Sequence, residues 1–171
     1  GVDAATGTAK FEFADDVRAD VLNVIPPQRA GAIAAQAGVV TANARWCEVD
    51  FLTFESIKVR NVHVLGDAIQ TAPLMPKSAH MANAQAKVCA AAIVALMSDR
   101  PVNPEPMLAN TCYSFMRADL AAHVASVHRY DAAQKTFLPV EGAGGVSAAS
   151  NALEARYGHA WARNIRADSF G

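Results

Sequence analysis

Three groups of residues carry side chains able to do chemistry. Asp67 follows Gly66 at the end of the apolar run Asn61–Leu65 and precedes Ala68. A buried strand ending Gly-Asp delivers a carboxylate to the carboxyl edge of a sheet, where open α/β folds bind ligands. A short carboxylate fixed there can accept hydrogen bonds from a ribityl or ribose hydroxyl, or it can simply cap the next element. Lys77–Ser78 stands at the start of a helical run after Pro73 and Pro76. Charge and free backbone N–H groups at that point favour an anionic or carbonyl group; the plainer reading is a solvated lysine beside an N-cap. Cys112 lies in the polar stretch Asn110-Thr-Cys-Tyr-Ser114. Most cysteines are buried fillers, but polar neighbours fit an accessible, redox-active sulfur.

Other chemistries are disfavoured. Cys47, Cys89 and Cys112 are far apart and lack Cys-x-x-Cys spacing, and the five histidines form no cluster, so no metal site is expected. Gly142, Gly144 and Gly145 suggest a nucleotide loop, but Ser147 stands where Gly-x-Gly-x-x-Gly requires glycine, and a plain turn is expected. A net charge of −1 without blocks of like charge argues against nucleic acid and anionic membranes as partners. No apolar run reaches the ~20 residues of a membrane span. Of the residues 52% are hydrophobic but only 7% aromatic, which suits close-packed helices on a sheet.

The elements that must position these residues read as an α/β, or α+β, arrangement. Val17–Ile25 is β-branched and stops at Pro26–Pro27, as a strand would, with Lys10–Phe13 its partner across an Asp15–Asp16 turn. Arg29–Ala37 reads as a short helix closed by Gly38, Trp46–Phe54 as a short strand and turn, and Asn61–Leu65 as a second strand. Ser78–Met97 is the clearest helix, capped by Ser78, with Ala79, Ala82, Ala86, Ala90 (or Cys89), Ile93 and Met97 on its packed face. Pro101–Pro106 is a connector. Asn110–Met116, Ala122–Tyr130 and Thr136–Val140 read as a small antiparallel sheet with a hairpin at Asp131–Lys135, although Leu120–Val127 is also compatible with helix. Glu141–Ser147 reads as a glycine-rich loop. Asn151–Ile165 closes the chain as an amphipathic helix with Leu153, Tyr157, Trp161 and Ile165 on one stripe; Trp161 is most simply a core anchor.

Val-His-Val-Leu-Gly-Asp-Ala (62–68), Pro-Lys-Ser (76–78), Asn-Thr-Cys-Tyr-Ser (110–114), Val-Glu-Gly-Ala-Gly-Gly-Val-Ser (140–147) and Leu-Glu-Ala-Arg-Tyr (153–157) together resemble the carboxyl-terminal part of flavocytochrome c sulfide dehydrogenase flavoproteins. Residues 20–28, 46–50 and 53–56 fit the same family. Gly-Asp-Ala is shared by many flavoproteins with two dinucleotide domains, whereas Asn-Thr-Cys-Tyr-Ser is much more particular. The resemblance implies an FAD enzyme of glutathione-reductase plan that oxidises sulfide and passes electrons to a cytochrome c subunit in the periplasm. It implies the end of an NAD-like domain at residues 1–28, the second segment of the FAD-binding domain at 29–100, and a carboxyl-terminal interface domain at 101–171. Gly66, Asp67 and Ala68 would contact FAD, with Asp67 on its ribityl chain. Lys77 and Ser78 would face the pyrimidine edge of the flavin, and Trp161 would lie near it. Cys112 matches the family's redox cysteine, which forms a disulfide beside the flavin.

The amino-terminal Gly-x-Gly-x-x-Gly turn and a second redox cysteine are both absent from this sequence; Cys47 belongs to a different motif. The expectation is therefore that the amino-terminal half of the flavoprotein lies outside this chain. The chain alone is then expected neither to retain FAD nor to oxidise sulfide, since the main pyrophosphate contacts would be lacking. Two other readings remain open. One is a sulfide:quinone oxidoreductase or an NAD(P)H-dependent flavin disulfide reductase. The other is a non-catalytic module that self-associates through exposed apolar surface.

Overall fold

The computed structural model describes all 171 residues as a mixed α and β molecule with two three-stranded antiparallel sheets. The first sheet is small. Its strands β1 (Val2–Asp3), β2 (Thr8–Ala9) and β3 (Val17–Arg18) have two residues each. The expected strand Val17–Ile25 thus ends after Arg18, and its partner is Thr8–Ala9 rather than Lys10–Phe13. Val21 and Ile25 are exposed, so no packing rewards extension of the ladder. Helix α1 spans Ala32–Gln36, inside the expected Arg29–Ala37. Gly38 closes it with a φ of +71° and donates its N–H to the Ala35 carbonyl, a geometry that glycine adopts without steric cost.

From Val39 to Pro76 the chain is held by single bridges and by side chains bonded to backbone. Cys47 bridges Ile69, Val49 bridges Ser56, and Glu55 bridges His63. Asn61–Leu65 is therefore not a full strand. It pairs on one side only, through Ser56 N–H to the Val62 carbonyl and Val64 N–H to the Phe54 carbonyl. Apolar patterning proposes a strand, but partners on both sides make one.

Helix α2 (Ala79–Met97) begins as expected, with Ser78 accepting the Met81 N–H. Its packed face agrees with the expected one only in part: Cys89, the alternative to Ala90, is buried and Ala82, Ala86 and Ile93 are half-buried. Met81, Gln85, Cys89 and Ala92 are buried, whereas Ala79, Ala90 and Met97 are exposed. The larger side chains and Ala92 fill the core, and the other alanines flank it. Ala82 lies against the backbone of Gly66, where an added Cβ would be 3.3 Å from the Ala82 methyl.

The second sheet is long: β4 (Met107–Arg117), β5 (Leu120–Asp131) and β6 (Thr136–Val146), with Asp131–Lys135 forming the turn between the last two. The Leu120–Val127 ambiguity resolves as strand. Glu141–Ser147 is not a free loop. After a bulge, Gly144–Val146 rejoin β5 opposite Val124–Ser126. Gly144 is needed there, because a Cβ would lie 2.5 Å from the Ala125 carbonyl oxygen.

Helix α3 (Ala152–Phe170) is capped by Asn151, which accepts the Glu154 N–H. Its packed face is small rather than apolar: Ala155 and Gly158 are buried while Leu153 and Tyr157 are exposed. A Cβ on Gly158 would lie 2.8 Å from the Phe115 ring, so this glycine allows α3 to lie directly on β4. The main core joins all of this. Phe54, Ile69, Met75, Met81, Cys89, Leu108, Tyr130 and Phe137 pack together, with Phe137 edge-on to both Phe51 and Tyr130. Each such burial contributes about 1.5–3 kcal/mol, and together these side chains tie the irregular segment to α2 and the long sheet.

Candidate functional site

The start of α2 divides the candidate residues between two adjoining cavities. One, about 430 Å³, is lined by Arg29, Trp46, Asp67, Ala68 and Lys77. The other, about 240 Å³, is lined by Ser78, His80, Cys112, Tyr113 and Trp161, with Gly158 at its back. Lys77 and Ser78 are chain neighbours, yet they face different cavities.

In the first cavity Gly66–Ala68 forms a single 3₁₀ turn. Gly66 has φ +70° and donates its N–H to the buried Gln85 Oε1 at 2.6 Å, which fixes the turn to α2. The Asp67 side chain is exposed. The Lys77 ammonium is turned inward beneath the turn. It donates to the carbonyls of Asp67 (2.6 Å) and Ile69 (2.7 Å) and lies 3.8 Å from the Trp46 ring centroid. Burial of the ammonium lowers the Lys77 pKa, partly opposed by Asp67 and Cys47. Burial likewise raises the Cys47 thiol, partly opposed by Lys77. An open carboxylate, an indole face and two cationic side chains form a donor and acceptor set that fits the polyol and phosphate parts of a dinucleotide cofactor.

In the second cavity two cross-links join α2 to β4. The Ser78 hydroxyl donates to Asn110 Oδ1, and the Thr111 N–H donates to His80 Nδ1 at 2.7 Å. The second bond puts the proton of neutral His80 on Nε2. The His80 ring lies 5.4 Å from that of Trp161. Cys112 is half-buried and free, with Sγ 3.6 Å from Asn110 Nδ2. Cys47 and Cys89 are also free, and both are buried. The cavity therefore holds a single thiol between an indole, an imidazole and a carboxamide.

Behind this cavity a polar cluster braces α3. Glu154 Oε2 lies 2.7 Å from His123 Nδ1, and the Ser147 hydroxyl lies 2.9 Å from the same nitrogen and 3.2 Å from Glu154 Oε1. Carboxylate and hydroxyl meet one ring nitrogen, so the cluster is not a nucleophile–base–orienter relay. Burial raises the Tyr113 phenol beside it, with Glu154 adding to the effect.

Of the residues singled out from sequence, the fold gathers Ser78, Cys112 and Trp161 on one side and Asp67, Ala68 and Lys77 on the other, with Gly66 behind the latter. Sequence reasoning missed Asn110, His80, Trp46, Arg29 and Gln85. Gln85 was detectable in principle, since it lies two turns after Ser78 on the packed face. Trp46 carried no local signal, because its partner Lys77 is 31 residues away. Residues 104–170 match the family model described as flavocytochrome c sulphide dehydrogenase, flavin-binding. The match covers the long sheet and α3, including Cys112 and Trp161.

Proposed function

We propose, from the membership of this chain through residues 104–170 in the flavocytochrome c sulphide dehydrogenase flavin-binding family, that it forms part of an FAD-dependent enzyme oxidising sulfide. Its electrons pass to a cytochrome c subunit, in the periplasm. In this reading residues 1–28 end an NAD-like domain, 29–100 are the second segment of the FAD-binding domain, and 101–171 are the interface domain. The observation that carries the reading is the cavity in which Cys112 meets Trp161 and the first residues of α2.

Asp67 and Ala68 would hold the ribityl side of FAD, with Lys77 fixing the turn that presents them. Ser78 and Trp161 would border the flavin ring. When bound, FAD supplies acceptance of an electron pair and its release one electron at a time to a haem. Cys112 supplies the sulfur chemistry. In the full enzyme it forms a disulfide with a second cysteine, and hydrosulfide attacks one of the two sulfurs. A new S–S bond forms, the old one breaks, and a thiolate leaves.

Cys112→Ser in the full flavoprotein should abolish sulfide-dependent reduction of cytochrome c, and near-normal turnover would sink the assignment. Assays with cytochrome c, a quinone and NAD as alternative acceptors separate this reading from a quinone-linked or nicotinamide-linked relative. No Gly-x-Gly-x-x-Gly turn is present in the 171 residues to hold the pyrophosphate. The purified chain is therefore expected to lack flavin absorbance, and stoichiometric yellow flavin would overturn that part. Light scattering tests whether the exposed Phe13, Ile25, Leu74 and Phe170 make the chain self-associate.

A further inference from the structure

We propose that Asn110 is the residue that stabilises Cys112 as an anionic sulfur, with Ser78 setting the direction of its carboxamide. The inference deepens the reading of Cys112 as the reacting sulfur and rests on it, but its physical basis is local. The Ser78 hydroxyl already accepts the Met81 N–H as the N-cap of α2. Its one proton is then free to donate, and the acceptor in reach is Asn110 Oδ1. With the oxygen engaged there, Asn110 Nδ2 is the atom left to face Cys112 Sγ, at 3.6 Å. Asn110 is only 4% exposed, so its amide cannot exchange this arrangement for water.

The two states of the sulfur use the amide differently. A neutral thiol can donate to Asn110 Oδ1, 3.8 Å away. Once the proton is lost, only the Nδ2–H contact is favourable, and it becomes a charge-assisted bond in a half-buried site. The N-cap of a 19-residue helix is thereby connected through one hydroxyl and one amide to the reacting atom. Neither Asn110 nor Ser78 need touch the substrate to set how readily Cys112 attacks or leaves.

The test is alkylation of the complete 171-residue chain by iodoacetamide, followed peptide by peptide across a pH range. The alkaline plateau reports access to Cys112 and the nucleophilicity of its thiolate, and the midpoint reports its ionisation. Asn110→Asp exchanges the donor for a carboxylate oxygen, so the midpoint should move to higher pH, with the plateau raised about threefold by the greater nucleophilicity of a more basic sulfur. Near neutral pH the rate should fall about threefold, because a roughly tenfold loss of thiolate is half offset by the greater nucleophilicity of a more basic sulfur. Ser78→Ala should move the midpoint the same way by less, since the amide loses the group that orients it. Superimposable midpoints in Asn110→Asp and the parent chain overturn the proposal. If Asn110→Asp does not fold, Ser78→Ala decides: a midpoint equal to that of the parent chain also overturns the proposal. Flavin is not involved, so failure here is distinct from failure of the sulfide assignment, which the Cys112→Ser turnover assay reads.

Discussion

Residues 1–78 and residues 79–171 are built by different means, although neither is richer in apolar pattern than the other. The first region has three two-residue strands, one five-residue helix and a series of isolated bridges. The second has two 19-residue helices and three strands of 11 or 12 residues. In the second, each strand pairs with its neighbour in sequence, and long ladders follow. In the first, Val17–Ile25 and Asn61–Leu65 have the composition of strands but few neighbours to pair with. Five of the seven non-glycine residues with positive φ, Asn43, Ala44, Phe54, Asn61 and Leu74, belong to this first region. A left-handed conformation costs roughly 1–2 kcal/mol for a residue with a Cβ. Phe54 is held there because its ring is wholly buried in the shared core.

The difference can be tested from its strongest dependence downward. Phe137 is the centre of the core that both regions share, and Phe137→Ala should cost about 3–5 kcal/mol. Urea denaturation followed by the fluorescence of Trp46 and Trp161 checks this. Both probes should be lost together if the first region depends on the sheet, and separate transitions would show that it does not. Gly144→Ala forces a methyl onto the Ala125 carbonyl and should cost on the order of 2 kcal/mol. Gly31→Ala, where nothing lies within 4 Å of the new methyl, should change the denaturation midpoint little.

His128 gives a smaller effect that depends on pH. It is fully buried with both ring nitrogens lacking a hydrogen-bond partner, and burial lowers its pKa from 6.5, partly opposed by the nearby Leu74 carbonyl. The unfolded chain then takes up a proton at a higher pH than the folded one. Stability from this group is full above about 6.5 and is lost as pH falls from there towards the lowered folded value. The denaturation midpoint should decline on acidification through that window, and His128→Gln should flatten the decline. Small too is the effect of Leu74→Gly, which relieves a left-handed residue at φ +58° whose side chain is 84% exposed. The folded state gains up to about 1 kcal/mol from relief of strain, offset by the greater freedom of glycine when unfolded. A small rise or no change in midpoint is expected, and a clear fall would show that the Leu74 side chain is needed.

The sequence by itself determined the local features. Ser78 caps α2, Gly38 closes α1, Asp131–Lys135 turns the hairpin, and Asn110–Ser114 marks a polar strand carrying the thiol. Each depends on residues a few positions apart, whose short-range chemistry is the same in any fold. Tertiary structure decided which faces are packed and which groups meet. It moved the buried stripe of α2 away from Ala79, Ala90 and Met97 and towards Met81 and Gln85. It exposed Leu153 and Tyr157 so that Gly158 could lie against Phe115, and it returned Gly144–Val146 to the sheet. It also sent Lys77 and Ser78, adjacent in sequence, into different cavities. Burial depends on what a segment packs against, and the Ser78–Asn110 and Lys77–Trp46 contacts join residues more than 30 positions apart. No local pattern specifies such pairs; they exist only once the long sheet and α2 have been brought together.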